Sequence, residues 1–512
     1  MEKEIQDLLR RKEKAKQMGG QAMIDRQHSL GRLTARERID RFVDPDTFME
    51  LGMLNHSEHP DFAQQSPCDG LITGLGHVSG RPAVISAADK TVLAASEGMV
   101  FLRKNSAVNE YAVKRGLPIF RLGEGGGLRI PDGMGSDGIS QTGFPEHLLT
   151  SCRTVPQITS IMGDSYGLPT WDAVSSDFAV QVKGTCMAIA SHRMLEVALS
   201  ETITPEELGG WKIHAETTGQ VDAFADDDDH CMGIMKEFFS YLPSNASQEP
   251  PFKKTLDDPY RLLDDVVDIV PTRLNRAYDM KKLIKVLVDD GIFFELKEFF
   301  GKALITGLAH LNGRVVGIFA NQPMFNAGAA GPQECDKAIE FICLCDSFNI
   351  PMVFLNDIPG FYIGAFAEKN KMPTKIMTWL RALALASVPK MSVVIRKSIG
   401  AAYFNMSGPF MGADFLVAWP TAHISFTGDE VAVNVVYGRQ LAEAENPATE
   451  REKLMDQLAH DSAPYKAAGK HFIDDVIDPR DTRKFLCRAL EFSCANKGSM
   501  SKRTLANWPM GY

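Results

Sequence analysis

No apolar run in this sequence reaches the roughly 18 residues that a membrane-spanning helix needs. The apolar stretches near Val316 and Ala384 are cut by Asn, Gln, Pro or Lys. Cysteine pairs of the Cys-x-x-Cys kind are missing too, which removes a zinc ribbon and a thioredoxin-type site. The nine cysteines are Cys68, Cys152, Cys186, Cys231, Cys335, Cys343, Cys345, Cys487 and Cys494. Cys343 and Cys345 lie in the apolar segment FICLCDSF, and the set reads as core filler in a reducing compartment. No basic block stands out against a net charge of −10, so a nucleic-acid footprint is excluded. The opening MEKEIQDLLRRKEKAKQ is charged and helix-patterned, without the apolar core of a signal peptide, and predicts a soluble cytoplasmic protein. Apolar residues make up 44% and charged residues 23%, an ordinary globular balance. A chain of 512 residues then predicts two large domains or about three ordinary ones.

What the sequence does contain is an internal repeat. Residues 72–85 read ITGLGHVSGRPAVI and residues 305–318 read ITGLAHLNGRVVGI, with eight of fourteen positions identical at an offset of 233. The register holds without a gap for nearly a hundred residues. Gly98 maps to Gly331, Lys104 to Lys337, Pro118 to Pro351, Glu124 to Asp357, Gly127 to Gly360, Pro156 to Pro389 and Gly167 to Gly400. After a shift of four, Asp177-Phe178-Ala179-Val180 echoes Asp414-Phe415-Leu416-Val417. Such self-similarity marks a duplicated domain.

Each copy repeats one local grammar. A β-rich segment with a Gly-Arg turn (Gly80-Arg81; Gly313-Arg314) predicts a hairpin, and a helix follows over 98–115 and 331–348. The strands PIFRL and PMVFL end in the turns GEGGGLRIPDG and NDIPGFYIG, and the strands PQITSIMG and KMSVVIRK run into DSYGLP and SIGAAY. Strands alternating with helices predict an α/β chain of parallel-sheet units. The Pro- and Ser-rich LPSNASQEPPFKK places the boundary at 243–260, dividing the chain into 1–250 and 251–512. The first 50 residues read as a helical preface with Ile5, Leu8 and Leu9 on one face, and the tail from about 463 as further helix and a terminal arm.

Two small-residue turns per copy, each directly after a strand, carry the chemistry. Glycine lets backbone N–H groups approach a ligand, and convergent N–H donors can hold a developing enolate. Packing turns are the plain alternative, weakened by recurrence in both copies. A dinucleotide fingerprint at GEGGGLRIPDG fails on spacing. No nucleophile–base set stands out: His77 and His310 read as structural hairpin residues, and Asp226–Asp229 with His230 reads as a solvated loop or helix start, not a metal site. Chemistry without a visible acid or base points to a cofactor or the substrate supplying it.

Several motifs carry a family resemblance: QHSLGRLTARERIDRFVDPDTFMELG at 27–52, EELGGWKIH at 206–214, SYLPSN at 240–245, CDSFNIPMVFLNDIPGF at 345–361, IRKSIGAAY at 395–403, GADFLVAWPTAHI at 412–424 and DDVIDPRDTR at 474–483. Over nearly its whole length the chain resembles the carboxyltransferase (β) subunit of biotin-dependent acyl-CoA carboxylases, propionyl-CoA carboxylase type. The resemblance implies tandem crotonase-like domains, the first holding a coenzyme A thioester and the second the biotin side. It also implies an active site at a dimer interface, commonly in a homo-hexamer, and biotin on a separate carrier with a biotin carboxylase partner. Neither a biotinyl Ala-Met-Lys-Met motif nor a biotin carboxylase signature occurs in the chain. Carried over by position, the second-domain oxyanion hole falls on Ala401 and Ala402 with Gly360 and Phe361 opposite. Gly127, Leu128, Gly167 and Leu168 are the first-domain equivalents, and Gly126, Gly400 and Phe404 flank the substrate.

The departures gather where the acyl group should lie. The family's D-S-G-G-A-R-I-Q-E-G stands here as EGGGLRIPDG, and its G-P-C-A-G-G-A as GDSYGLP, so that Leu168 replaces a glycine and Pro169 has no N–H to donate. The stretch after IPGF reads AEKNKMPTKIM at 367–377, and Phe404 replaces the small or acidic residue that helps select acyl size. Three expectations follow: a carboxyltransferase with an unusual acyl-CoA; a decarboxylase or transcarboxylase subunit, or a crotonase-type CoA enzyme without biotin; and a non-catalytic assembly partner.

Overall fold

The structure is a computed structural model that describes residues 1–143, 145–495 and 500–508. Among them the chain divides into two compact units, Met1–Gln248 and Glu249–Trp508. Each unit is built on a mixed sheet with helices packed on it, of seven strands in the first and eight in the second, and along the main path of each sheet strand order follows chain order.

In the amino-terminal unit the order is Met49–Leu51, Leu71–Val78, Arg81–Ala88, Ile119–Leu122, Gln157–Ile161, Phe178–Val182 and Ala223–Ala225. The first three strands pair antiparallel, with Leu71 opposite Ala88 and Val78 opposite Arg81 across the Ser79-Gly80 turn. The rest pair parallel through helical crossovers. The carboxy-terminal unit repeats this with Phe293–Leu296, Leu304–Leu311, Arg314–Asn321, Met352–Ile358, Lys390–Ile399, Phe415–Ala418 and Asp475–Val476, plus His423–Ser425 beside Lys390–Ile399. Both hairpins begin and end at positions exactly one repeat apart in number, and the helix Met99–Arg115 starts 233 residues before Pro332–Ser347.

The duplicated lysines have the same task. Lys104 donates to the carbonyls of Gly52, Cys68 and Leu71, and Lys337 to those of Lys297, Phe300 and Leu304. Three carbonyl acceptors satisfy the three donors of an ammonium group, so each buried lysine ties its helix to the start of the hairpin. Helix Glu2–Lys16 forms as expected, with Ile5, Leu8 and Leu9 uncovered. Seven of the nine cysteines are buried, and none is bridged. Among the described residues no helix is long and apolar enough to cross a membrane.

The acidic run Asp226–Asp229 forms the helix start that was one of its two expected readings, but it is not solvated throughout. Asp227 caps helix Asp228–Tyr241 by accepting from the His230 N–H, but Asp228 is buried, 2.8 Å from Arg38 Nε. A charge removed from water persists only with a partner, and here the buried Arg38 also reaches Glu124 at 3.1 Å.

Candidate active site

The strand-end turns form the site in each unit. In the amino-terminal unit the Glu97 N–H donates to the Gly127 carbonyl at 2.8 Å, and the Arg129 N–H to the Glu97 carbonyl at 2.8 Å. One repeat later the Ala330 N–H donates to Gly360, and the Tyr362 N–H to Ala330. These ladders pin Leu128 and Phe361 in matching places, with the Gly127, Leu128, Gly360 and Phe361 N–H groups lacking an acceptor among the described residues. Gly127 has φ +77°, and a Cβ there would lie 2.7 Å from the Tyr166 carbonyl oxygen, so only glycine fits against the second turn.

The second turns also repeat, and their glycine N–H groups are bonded within the fold. The Gly167 N–H donates to the Ala188 carbonyl at 3.1 Å, and the Gly400 N–H to the Ser425 carbonyl at 2.9 Å. Both are spent holding a short neighbouring strand. Gly126 is likewise committed, to the Ala95 carbonyl at 3.0 Å. The donors left without an acceptor are Leu168 in one unit and Ala401 and Ala402 in the other. Pro169, at the position of Ala402, contributes none. It instead packs onto the first turn, where a Cβ on Gly125 would come within 2.2 Å of its Cγ.

The two turns of each unit meet. In the first, Gly125 pairs with Ser165 and the Tyr166 N–H donates to the Gly125 carbonyl; in the second, Ile358 pairs with Ser398 just ahead of Gly360 and Gly400. A carboxylate anchors each crossing. Glu124 is buried against Arg38 and Gln27, and Asp357 is buried 2.8 Å from Arg396 Nε while accepting from the Lys397 N–H. Phe404 lies at the surface, 41% exposed and stacked on Tyr403.

Two features were not expected from the sequence. Leu93, Ala94 and Ala95 are three consecutive left-handed residues, repeated as Asn326, Ala327 and Gly328. The first triplet lies directly against Gly126, so the strain is stored beside the turn. No turn or repeat signal announces it. The second feature is a cavity of about 50 Å³ in the amino-terminal unit, mainly apolar in its lining, with Glu97, Arg121, Thr159 and Asp172 among its polar groups and Pro169 in its wall. Burial, with Asp172 adding repulsion, pushes the Glu97 carboxyl up to about 8. The turn carboxylates Glu124 and Asp357 are engaged by Arg38 and Arg396, and among the described residues no His, Cys, Asp or Glu cluster could hold a metal ion.

Free, convergent N–H donors without an adjacent base can hold an oxygen that becomes negative. The carboxyl transferase domain model matches residues 26–506. The chain is 36% identical to the propionyl-CoA carboxylase carboxyltransferase subunit of Haloferax mediterranei, covering 100% of both chains. It is 34% identical to the methylmalonyl-CoA carboxyltransferase 12S subunit of Propionibacterium freudenreichii, over 99% of this chain and 98% of that one. A solved transcarboxylase 12S structure, a hexamer with methylmalonyl-CoA and methylmalonic acid bound, matches with TM-score 0.92 at 34% identity, covering 97% and 96% of the two chains.

Proposed function

Since this chain belongs to the carboxyl transferase family and has its tandem crotonase-like fold, we propose that it moves a carboxyl group between carboxybiotin and the α-carbon of an acyl-CoA. The single observation that carries this reading is the pair of strand-end turns, repeated in both units, in which the Leu128, Leu168, Phe361, Ala401 and Ala402 N–H groups have no acceptor among the described residues.

The amino-terminal unit takes the acyl-CoA. Leu128 and Leu168 donate to the thioester oxygen and strengthen their hold as it becomes an enolate oxygen, which makes the α-proton removable. The carboxy-terminal unit takes the biotin side, with Phe361, Ala401 and Ala402 donating to the ureido oxygen. Biotin, on a separate carrier protein served by a biotin carboxylase, supplies the carboxyl group and the base when bound. Gly127 and Gly360 hold the first turns in shape, and Gly167 and Gly400 hold the second turns onto their neighbouring strands. Phe404 is the residue assigned to selecting the size of the acyl group.

The working form is an oligomer, a homo-hexamer built from dimers. Large apolar side chains lie bare on each unit, Val197 at 88% and Phe426 at 91% exposure among them, which is the mark of surfaces that pair. The test is an assay in both directions with a panel of acyl-CoAs, with and without a biotinylated carrier. Carrier-dependent transfer is the expected result. Turnover without biotin would make this a stand-alone CoA enzyme. No turnover and no CoA binding would make it the assembly partner of an active subunit, the reading that Pro169 favours.

A further inference from the structure

The cavity at the carboxyl ends of strands Ile119–Leu122 and Gln157–Ile161, mainly apolar with a few buried polar groups, has no counterpart in the duplicated chemistry. Glu97, Arg121 and Ser86 line it, and one repeat later the same positions hold Ala330, Phe354 and Phe319. There Phe319 and Phe354 stack with ring centroids 4.6 Å apart and fill the space between sheet and helix. In the amino-terminal unit that space is left to groups that want partners. Glu97 is 4% exposed and, among the described residues, its Oε2 has no hydrogen-bond partner. Arg121 spends Nη2 on Gln157 at 2.9 Å, while its buried Nε and Nη1 have none. Buried polar atoms left unsatisfied cost stability, so a native structure keeps them for a ligand or for water.

The cavity borders the site. The Glu97 backbone is the rung that pins Gly127 and Leu128, and Pro169 is both a cavity wall and the residue after Leu168. Asp172, 3.7 Å from Arg121 Nε and with 38% of its side chain exposed, carries the wall to the surface. A volume of about 50 Å³ admits about four non-hydrogen atoms, taking ~10–15 Å³ for each water-sized group. A neutral Glu97 carboxyl and two guanidinium N–H groups are donors, and Asp172 balances the Arg121 charge. A few donors set in a mainly apolar lining suit a short carbon chain carrying one acceptor oxygen without a full negative charge.

We propose that this cavity receives the end of the acyl chain, and that Glu97 and Arg121 select a short acyl-CoA bearing a hydroxyl or keto oxygen beyond the α-carbon over its plain alkyl analogue. The inference rests on the assignment of the amino-terminal unit to the acyl-CoA. Lining donors left unpaired by an alkyl chain make the discrimination, since one missing substrate oxygen strands both groups.

Calorimetry on the full-length protein tests this with 3-hydroxybutyryl-CoA and butyryl-CoA as probes, on wild type, Glu97→Gln, Glu97→Leu and Arg121→Lys. Wild type should bind the hydroxyacyl thioester about 10-fold or more tightly than butyryl-CoA, the worth of one to two buried hydrogen bonds. Glu97→Gln, which keeps a neutral donor, should retain most of the preference, and Glu97→Leu should abolish or invert it. Arg121→Lys, which keeps the charge but loses the fork, should reduce it in a chain that still folds. Equal affinities in wild type, unchanged by Glu97→Leu, would make the cavity a water pocket and overturn the proposal while leaving carboxyl transfer intact. Failure of every CoA thioester to bind would overturn both readings together.

Discussion

The two units share a frame and differ in what fills it. Hairpin, helix, buried lysine and turn recur residue for residue, yet Ser86 and Arg121 on one side become Phe319 and Phe354 on the other. Duplication has kept the parts that shape the backbone and released the volume behind the turn. The carboxy-terminal unit packs that volume with a stacked aromatic pair, which adds stability through burial and ring contact. The amino-terminal unit leaves donors there without partners, a stability cost characteristic of sites that select a ligand.

The anchoring carboxylates should separate the units most strongly. Among the described residues Arg396 has Asp357 as its one paired carboxylate, beside the carbonyls of Pro271, Arg273 and Arg276 and the ring of Tyr278. Asp357→Ala therefore leaves a buried guanidinium uncompensated and should cost about 3–5 kcal/mol in urea unfolding. Arg38 has two carboxylates, and Glu124→Ala leaves it with Asp228 at 2.8 Å. That variant should lose about 1–3 kcal/mol. Equal losses would mean that the anchors are interchangeable and the comparison false.

Ala402→Pro brings the second turns into line with each other. The matching position already holds Pro169, so the turn accepts proline, and the variant removes a single N–H donor. Turnover with a biotinylated carrier should fall about 100-fold, with CoA binding unchanged. Wild-type turnover would show that Ala402 donates to nothing in the reaction and that Ala401 and Phe361 suffice.

Much of this was open to reading from the chain. A constant offset of 233 found both hairpins, both long helices, the lysines and the four turns, because residues that shape a backbone were kept as identities. The spent N–H groups of Gly167 and Gly400 were hidden, since their acceptors Ala188 and Ser425 lie on short strands with no pattern. The cavity was hidden for the opposite reason to the repeat. Glu97, Arg121 and Asp172 are scattered along the chain and match nothing in the second copy, so a search for identities passes over them. Asp228 looked solvated within its acidic run because its partner Arg38 is 190 residues away.

The hairpin histidines are repeat-equivalent in sequence and opposite in setting. His77 is exposed, whereas burial, with Lys253 adding repulsion, lowers His310 to about 4. Between the ordinary value of 6.5 and about 4, the unfolded chain binds a proton at His310 that the folded chain does not. Stability should therefore fall as pH falls through that window, and His310→Gln should flatten this acid limb. His77→Gln should leave it in place, as followed by thermal unfolding from pH 7 to pH 4. Matching effects of the two variants would put the acid limb elsewhere.

The smallest expected effect sits at the surface. Phe404 and Trp171 are one repeat apart, 41% and 45% exposed, and each follows its second turn by three or four residues. Phe404 stacks on Tyr403, so its ring is held and can act as a wall. Phe404→Ala should raise kcat/KM for bulkier acyl-CoAs relative to short ones by about 10-fold or less, the scale of a methylene or two in an apolar contact. Because the ring is exposed, the change should leave stability within about 0.5 kcal/mol. An acyl series unchanged by Phe404→Ala but shifted by Trp171→Ala would assign the acyl wall to the amino-terminal unit alone. The cavity behind Pro169 and the ring beside it would then read one substrate from one side.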